Sequence, residues 1–143
     1  MTSQPTTELA AGRITPPIWA RALIGGATAA VINLVILLIG HAAGASMTMT
    51  EPQPATIEWP AVIAASIAPL AIAGLVTWLA AKRWPRVRGW FAWTGLAVAV
   101  LSCAALISSP DVATAVSLGA MHIVAGIAWF IALTMRTSQT GVQ

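Results

Sequence analysis

Residues Ala22–Ile39 read ALIGGATAAVINLVILLI, an apolar run interrupted only by Thr28 and Asn33. About 20 helical residues, each rising roughly 1.5 Å, cross the hydrocarbon core of a bilayer, so this stretch predicts a transmembrane helix. Outward from it lie three more runs that are each long enough to cross once: Ala61–Ala81, Trp90–Ser108 and Val112–Met135. Of the 143 residues, 58% are hydrophobic and 8% charged, against about 25% charged in an ordinary soluble domain. That much charge cannot coat a water-facing surface, and a soluble globule is excluded. The expectation is an all-α, four-transmembrane-helix bundle filling one membrane domain, residues 18–136, with spans near 19–40, 60–81, 90–108 and 111–135. Residues 1–17 and 137–143, rich in Thr, Ser, Gln and Gly, read as loose tails.

Helix starts are marked by proline and acid. Pro17 and Pro60 suit first-turn positions, and Ser109-Pro110-Asp111 reads as N-cap, first-position proline and dipole-complementing acid. So short a connection makes the third and fourth helices antiparallel neighbours. Arg13 and Arg21 precede the first span, Lys82, Arg83, Arg86 and Arg88 fill the second loop, and Arg136 follows the fourth span, whereas the other loops carry Glu51, Glu58 and Asp111. Retention of positive charge on the cytoplasmic side predicts that both termini are cytoplasmic. Six tryptophans, Trp19, Trp78, Trp84, Trp90, Trp93 and Trp129, cluster toward that same side as an interfacial belt, with Trp59 at the outer edge. Arg13, Arg21, the first apolar run and Ala43-Gly44-Ala45 also imitate a secretory signal peptide. The run exceeds the usual 7 to 15 residues of such a signal, which favours a retained span.

The net charge of +3 does not point to nucleic acid, because the bases flank apolar segments instead of forming a water-facing stripe. A single cysteine, Cys103, allows no intrachain disulfide and no dithiol redox pair. Nucleophile-elbow, Walker, dinucleotide and zinc-protease patterns are absent. The sequence therefore predicts no catalytic residues, no metal site and no cofactor.

No Asp, Glu, Lys or Arg lies in the middle of a span, which weighs against ion-coupled transport. The polar residues at depth are Asn33, Ser66, Ser102 and His122, the last about 15 Å from the start of its span. Gly26, Ala30, Asn33 and Leu37 share one helical face, as do Gly95, Ala99, Ser102 and Leu106, and Ala115, Gly119, His122 and Gly126. Small residues permit close helix approach, so these stripes predict that Asn33, Ser102 and His122 turn inward together. Pro69 cannot donate to the Ala65 carbonyl, leaving an acceptor for which Ser66 or the cluster is a candidate donor. The cluster reads either as interhelical hydrogen bonding or as the lining of a ligand pocket. His41 and His122 differ in depth by about 15 Å, which disfavours a haem between them. His41, Met47 and Met49 form an outward trio of soft ligands, read here as a methionine-containing loop in preference to a copper site. Glu51 and Glu58 read as solvating charges. Lys82, Arg83, Arg86 and Arg88 are candidates for contact with lipid head groups.

The hydropathy layout, the basic loop Lys82-Arg83-Trp84-Pro85-Arg86-Val87-Arg88 and the last-span segment Met121-His122-Ile123-Val124 resemble a family of uncharacterised actinobacterial four-helix membrane proteins, a domain of unknown function. The resemblance runs from Ile18 to Met135. It implies a bacterial inner-membrane, multi-pass protein and no particular activity. The expected function is that of an accessory or scaffold subunit, its partners being the bilayer and either further copies of itself or a larger membrane protein. The alternative is a binding or transport module for a lipophilic small molecule.

Overall fold

The computed structural model describes residues 16–49 and 55–135. Arg13, Glu51, Arg136 and most of both tails lie outside them. Four α-helices follow in order: α1 (Ile18–Ala42), α2 (Trp59–Arg83), α3 (Val87–Ser102) and α4 (Val112–Thr134). The fold is thus the all-α, four-helix architecture read from the sequence. Helices α1, α2 and α4 are each long and apolar enough to cross a membrane. Large aliphatic side chains cover their outer faces, Val31, Leu38 and Ile72 among them, each more than 60% exposed. In water such a surface would aggregate, whereas in lipid it is solvated.

The third run departs from a single straight helix. Helix α3 ends at Ser102 and the chain continues as a 3₁₀ helix, Cys103–Ser108. Side chains at the junction compete for helix carbonyls: the Ser102 hydroxyl donates to Val98 O at 2.8 Å and the Cys103 thiol to Ala99 O at 3.4 Å. Together the two segments rise about 36 Å, at 1.5 and 2.0 Å per residue.

Helix ends follow local chemistry. Pro17 is the N-cap of α1, one position earlier than expected, while Pro60 does sit in the first turn of α2. Asp111 itself caps α4, accepting from Thr114 N at 2.6 Å, so Ser109 and Pro110 precede the helix and Ser109 is not its cap. Helix α1 closes on Gly44, whose φ of 84° suits a residue without a side chain. Gly44 N–H donates to His41 O at 3.0 Å and Ala45 N–H to Gly40 O at 2.9 Å, a Schellman closure that turns the chain back over the bundle. The segment that imitates a cleavage site is this helix stop. One element was not expected: β1 (Thr48–Met49) pairs antiparallel with β2 (Ala55–Thr56), forming a small hairpin between α1 and α2.

Helix α1 packs against α2 and α4, and α3 packs against α4, but α2 and α3 meet at few points. The bundle is therefore open along its α2–α3 side. Its buried side chains form two clusters, one beneath the hairpin around Leu37, Met47, Val62 and Leu118, the other at the basic end around Ala22, Leu70, Ala92 and Trp129. Trp129, expected in the interfacial belt, is 6% exposed, and its indole N–H donates to Phe91 O at 2.8 Å. A buried indole needs such a partner. Trp84, Trp90 and Trp93 are more than 60% exposed, as a belt requires.

Candidate functional site

The stripe on α1 turns inward as its spacing implies: Gly26, Ala30, Asn33 and Leu37 are all buried. Asn33 Nδ2 donates across the α1–α2 seam to Ser66 Oγ at 3.0 Å and, at 3.5 Å, to Met121 O on α4. Its other amide atom is orphaned. Asn33 is 3% exposed, and Oδ1 is buried with no hydrogen-bond partner. An unpaired buried acceptor of this kind costs about 1 to 3 kcal/mol, and native structures carry few of them.

Asn33 and Ser66 line a cavity of about 290 Å³ between α1, α2 and α4, together with His122, Val62 and Met121. Met49 and Ile57 of the hairpin segment also line it, and Leu106 of the 3₁₀ helix adds a further apolar wall. His122 is half-buried, with Nδ1 2.8 Å from Leu118 O, one turn back on its own helix. A carbonyl oxygen only accepts, so Nδ1 carries the hydrogen and Nε2 of the neutral ring is left as an acceptor. Among the described residues, no side chain bonds to Nε2.

A second space, about 710 Å³, fills the open side between α2 and α3 and is floored by α4. Ser102 lines this groove and not the first cavity, and its hydroxyl is taken by Val98 O. The expected meeting of Asn33, Ser102 and His122 therefore does not occur: Asn33, Ser66 and His122 share one space, Ser102 and His122 the other. Helical spacing placed Ser102 on the right face, but α3 lies against α4 and away from α1. Ala65, His122 and Ala125 border both spaces. Pro69 also lines the groove, one turn beyond the Ala65 carbonyl that it cannot cap.

The hairpin is fastened at the far end of the chain. Ser46 Oγ donates to Asp111 Oδ2 at 2.6 Å, Ser46 N–H reaches the same oxygen at 3.2 Å, and Met47 N–H donates to Thr114 Oγ1 at 3.0 Å. Thr114 Oγ1–H in turn donates to Asp111 at 2.8 Å. These donors, the Ser46 hydroxyl foremost, hold the Asp111 carboxyl well below the usual carboxylate range. Met47 is fully buried against Gly40 and Ser117, and Met49 faces the cavity. The outward trio with His41 therefore does not form, because the sulfurs turn into the bundle. The sequence signal that the latch needed was Asp111 followed by Thr114, an N-cap pair whose spare lone pairs await donors from elsewhere.

At the other end, Lys82, Arg83 and Arg86 are exposed, and Lys82 Nζ lies 3.7 Å from the Trp78 ring centroid. Arg88 differs from these three. It donates to Leu133 O at 3.2 Å, and Arg21 donates to Met135 O, so two guanidiniums sit at the carbonyl end of α4, where the helix dipole favours cations.

The fold and cavities define a small helical protein compatible with a membrane, with a mostly apolar pocket that Asn33, Ser66 and His122 make locally polar. By its sequence it belongs to a family of unknown function, DUF6069, whose pattern matches residues 13–139. No curated protein and no solved structure matches the chain.

Proposed function

We propose that this protein is a non-catalytic, multi-pass protein of a bacterial cytoplasmic membrane that binds a lipophilic small molecule inside its helix bundle. The observation that carries the reading is the unpartnered Oδ1 of Asn33, buried beside a cavity of about 290 Å³. Ligand pockets are characteristically apolar with a few placed polar groups, and this lining has that character. Among the described residues, no carboxylate, amine or thiol lines either space, which supports binding over catalysis.

The membrane placement rests on α1, α2 and α4 and on charge segregation. Arg21, Lys82, Arg83, Arg86 and Arg88 mark one end, while Glu58 and Asp111 begin helices at the other, which supports the basic end as cytoplasmic. The accessory or scaffold role expected from sequence is the weaker reading. Glycines that permit close helix approach, such as Gly26 against Ile67 and Gly126 against Ala99, are engaged within the chain itself.

Thermal unfolding of the detergent-purified protein against a panel of lipophiles tests the reading. At least one compound should raise Tm in the native chain and lose most of that effect in Asn33→Leu. A panel that leaves Tm unchanged throughout overturns it.

A further inference from the structure

We infer that the polar cavity and the α2–α3 groove are the head and tail compartments of one site, built for a long-chain lipophile whose head is a single hydroxyl. The inference rests on the proposed ligand-binding reading and names the class of ligand.

The head is specified by the hydrogen-bonding groups. Among the described residues two acceptors are unengaged, the buried Asn33 Oδ1 and Nε2 of His122, whose other ring nitrogen donates to Leu118 O. Ser66 Oγ accepts from Asn33, which leaves its own hydrogen available as a donor. A hydroxyl donates its one hydrogen to one acceptor, the buried Asn33 Oδ1, and accepts from Ser66, and so complements that pair. A carboxylate or phosphate only accepts and would bring its charge against two lone pairs. An ammonium would enter without a counter-charge from the described residues, among which no carboxylate lines either space. An ether or ketone would leave the buried Asn33 Oδ1 unpaired.

The tail is specified by the groove. It is larger than the cavity, about 710 against 290 Å³, and its walls carry Ile72, Val76 and Val98, each at least half exposed on the outside of the bundle. A chain can thus enter sideways from the acyl layer. Among the described residues, Ala65 and Ala125, small and common to both spaces, leave His122 as the one bulky side chain between them. The ring can meet the head while its face borders the tail.

The probes are tritiated 1-hexadecanol, its methyl ether and the short alcohol 1-hexanol, bound to the full chain in phosphatidylcholine nanodiscs. The native protein should bind hexadecanol about tenfold more tightly than the ether, because the ether cannot donate to the buried Asn33 Oδ1. Asn33→Val should bring hexadecanol affinity down toward that of the ether, without weakening the ether. Val98→Trp should weaken hexadecanol at least severalfold and spare hexanol. The comparison of alcohol with ether in the native chain needs no variant to fold. Equal affinity for alcohol and ether overturns the hydroxyl assignment while leaving a lipophile site intact. Unchanged hexadecanol binding in Val98→Trp overturns the shared compartment. Failure of all three probes overturns the hydroxyl-headed class; if the lipophile panel is silent as well, the ligand-binding reading falls with it.

Discussion

Asn33 on α1 donates to Ser66 on α2 across 3.0 Å, yet the carbonyl oxygen of the same amide has no donor. One half of the side chain fastens two helices and the other half is held ready. Replacing Asn33 with Leu removes a buried bond worth about 0.6 kcal/mol in a membrane interior and, with it, an unsatisfied acceptor. Stability should therefore change by less than about 1 kcal/mol, a shift that reversible unfolding in mixed micelles can resolve, even though lipophile response is lost.

His122→Leu should be equally mild. Among the described residues its one hydrogen bond goes to Leu118 on the same helix, so no interhelical tie is cut, and a loss above about 2 kcal/mol would show that the ring braces the bundle instead of lining a pocket.

Close packing gives a sharper contrast. A Cβ added at Gly126 would meet the Ala99 methyl at 2.6 Å, whereas one at Gly89 meets nothing within 4 Å. Gly126→Ala should destabilise by about 1 to 3 kcal/mol. Gly89→Ala, inside α3, should be neutral or stabilising by up to about 1 kcal/mol. Equal melting temperatures for the two variants would contradict the α3–α4 seam.

The helices were legible in the sequence because an apolar run of span length admits one backbone solution in lipid; the ends of α1, α2 and α4 fall within two residues of those expected, whereas α3 stops at Ser102, six short of the expected Ser108, where the chain turns 3₁₀. The inward face of α1 was legible for the same reason, through the spacing of Gly26, Ala30, Asn33 and Leu37. Which helices would be neighbours was not. A stripe of small residues says that something packs there, not what, and so Ser102 was grouped with Asn33 although α3 lies across the bundle. Serine also has an acceptor in its own helix, four residues back, and pattern cannot reveal that it takes it. The hairpin latch was hidden because Ser46 and Asp111 become partners only through the fold.

That latch carries a pH signature. Asp111 titrates below its unfolded value of roughly 3.9 because Ser46 and Thr114 donate to its charged form. The contribution is fully present above that unfolded value and is lost as pH falls toward the lower folded one. Hairpin amides should exchange faster as pH drops through this window, after correction for intrinsic rates. In Asp111→Asn they should be less protected at neutral pH and indifferent to the same acidification. Parallel profiles for the two proteins would remove Asp111 from the latch.

The charge reading of orientation is open to reversal by design. Neutralising Arg83, Arg86 and Arg88 while placing lysines at Glu51 and Glu58 should invert or mix the orientation of a terminal reporter tag. Unchanged tag accessibility would locate the determinant elsewhere.

Ser46 and Asp111 stand 65 positions apart, which imposes an order on biogenesis. The ribosome must deliver the final helix before the crown over the first two can be buckled down. Until then Ser46 and Met47 lack the Asp111 and Thr114 groups that hold them.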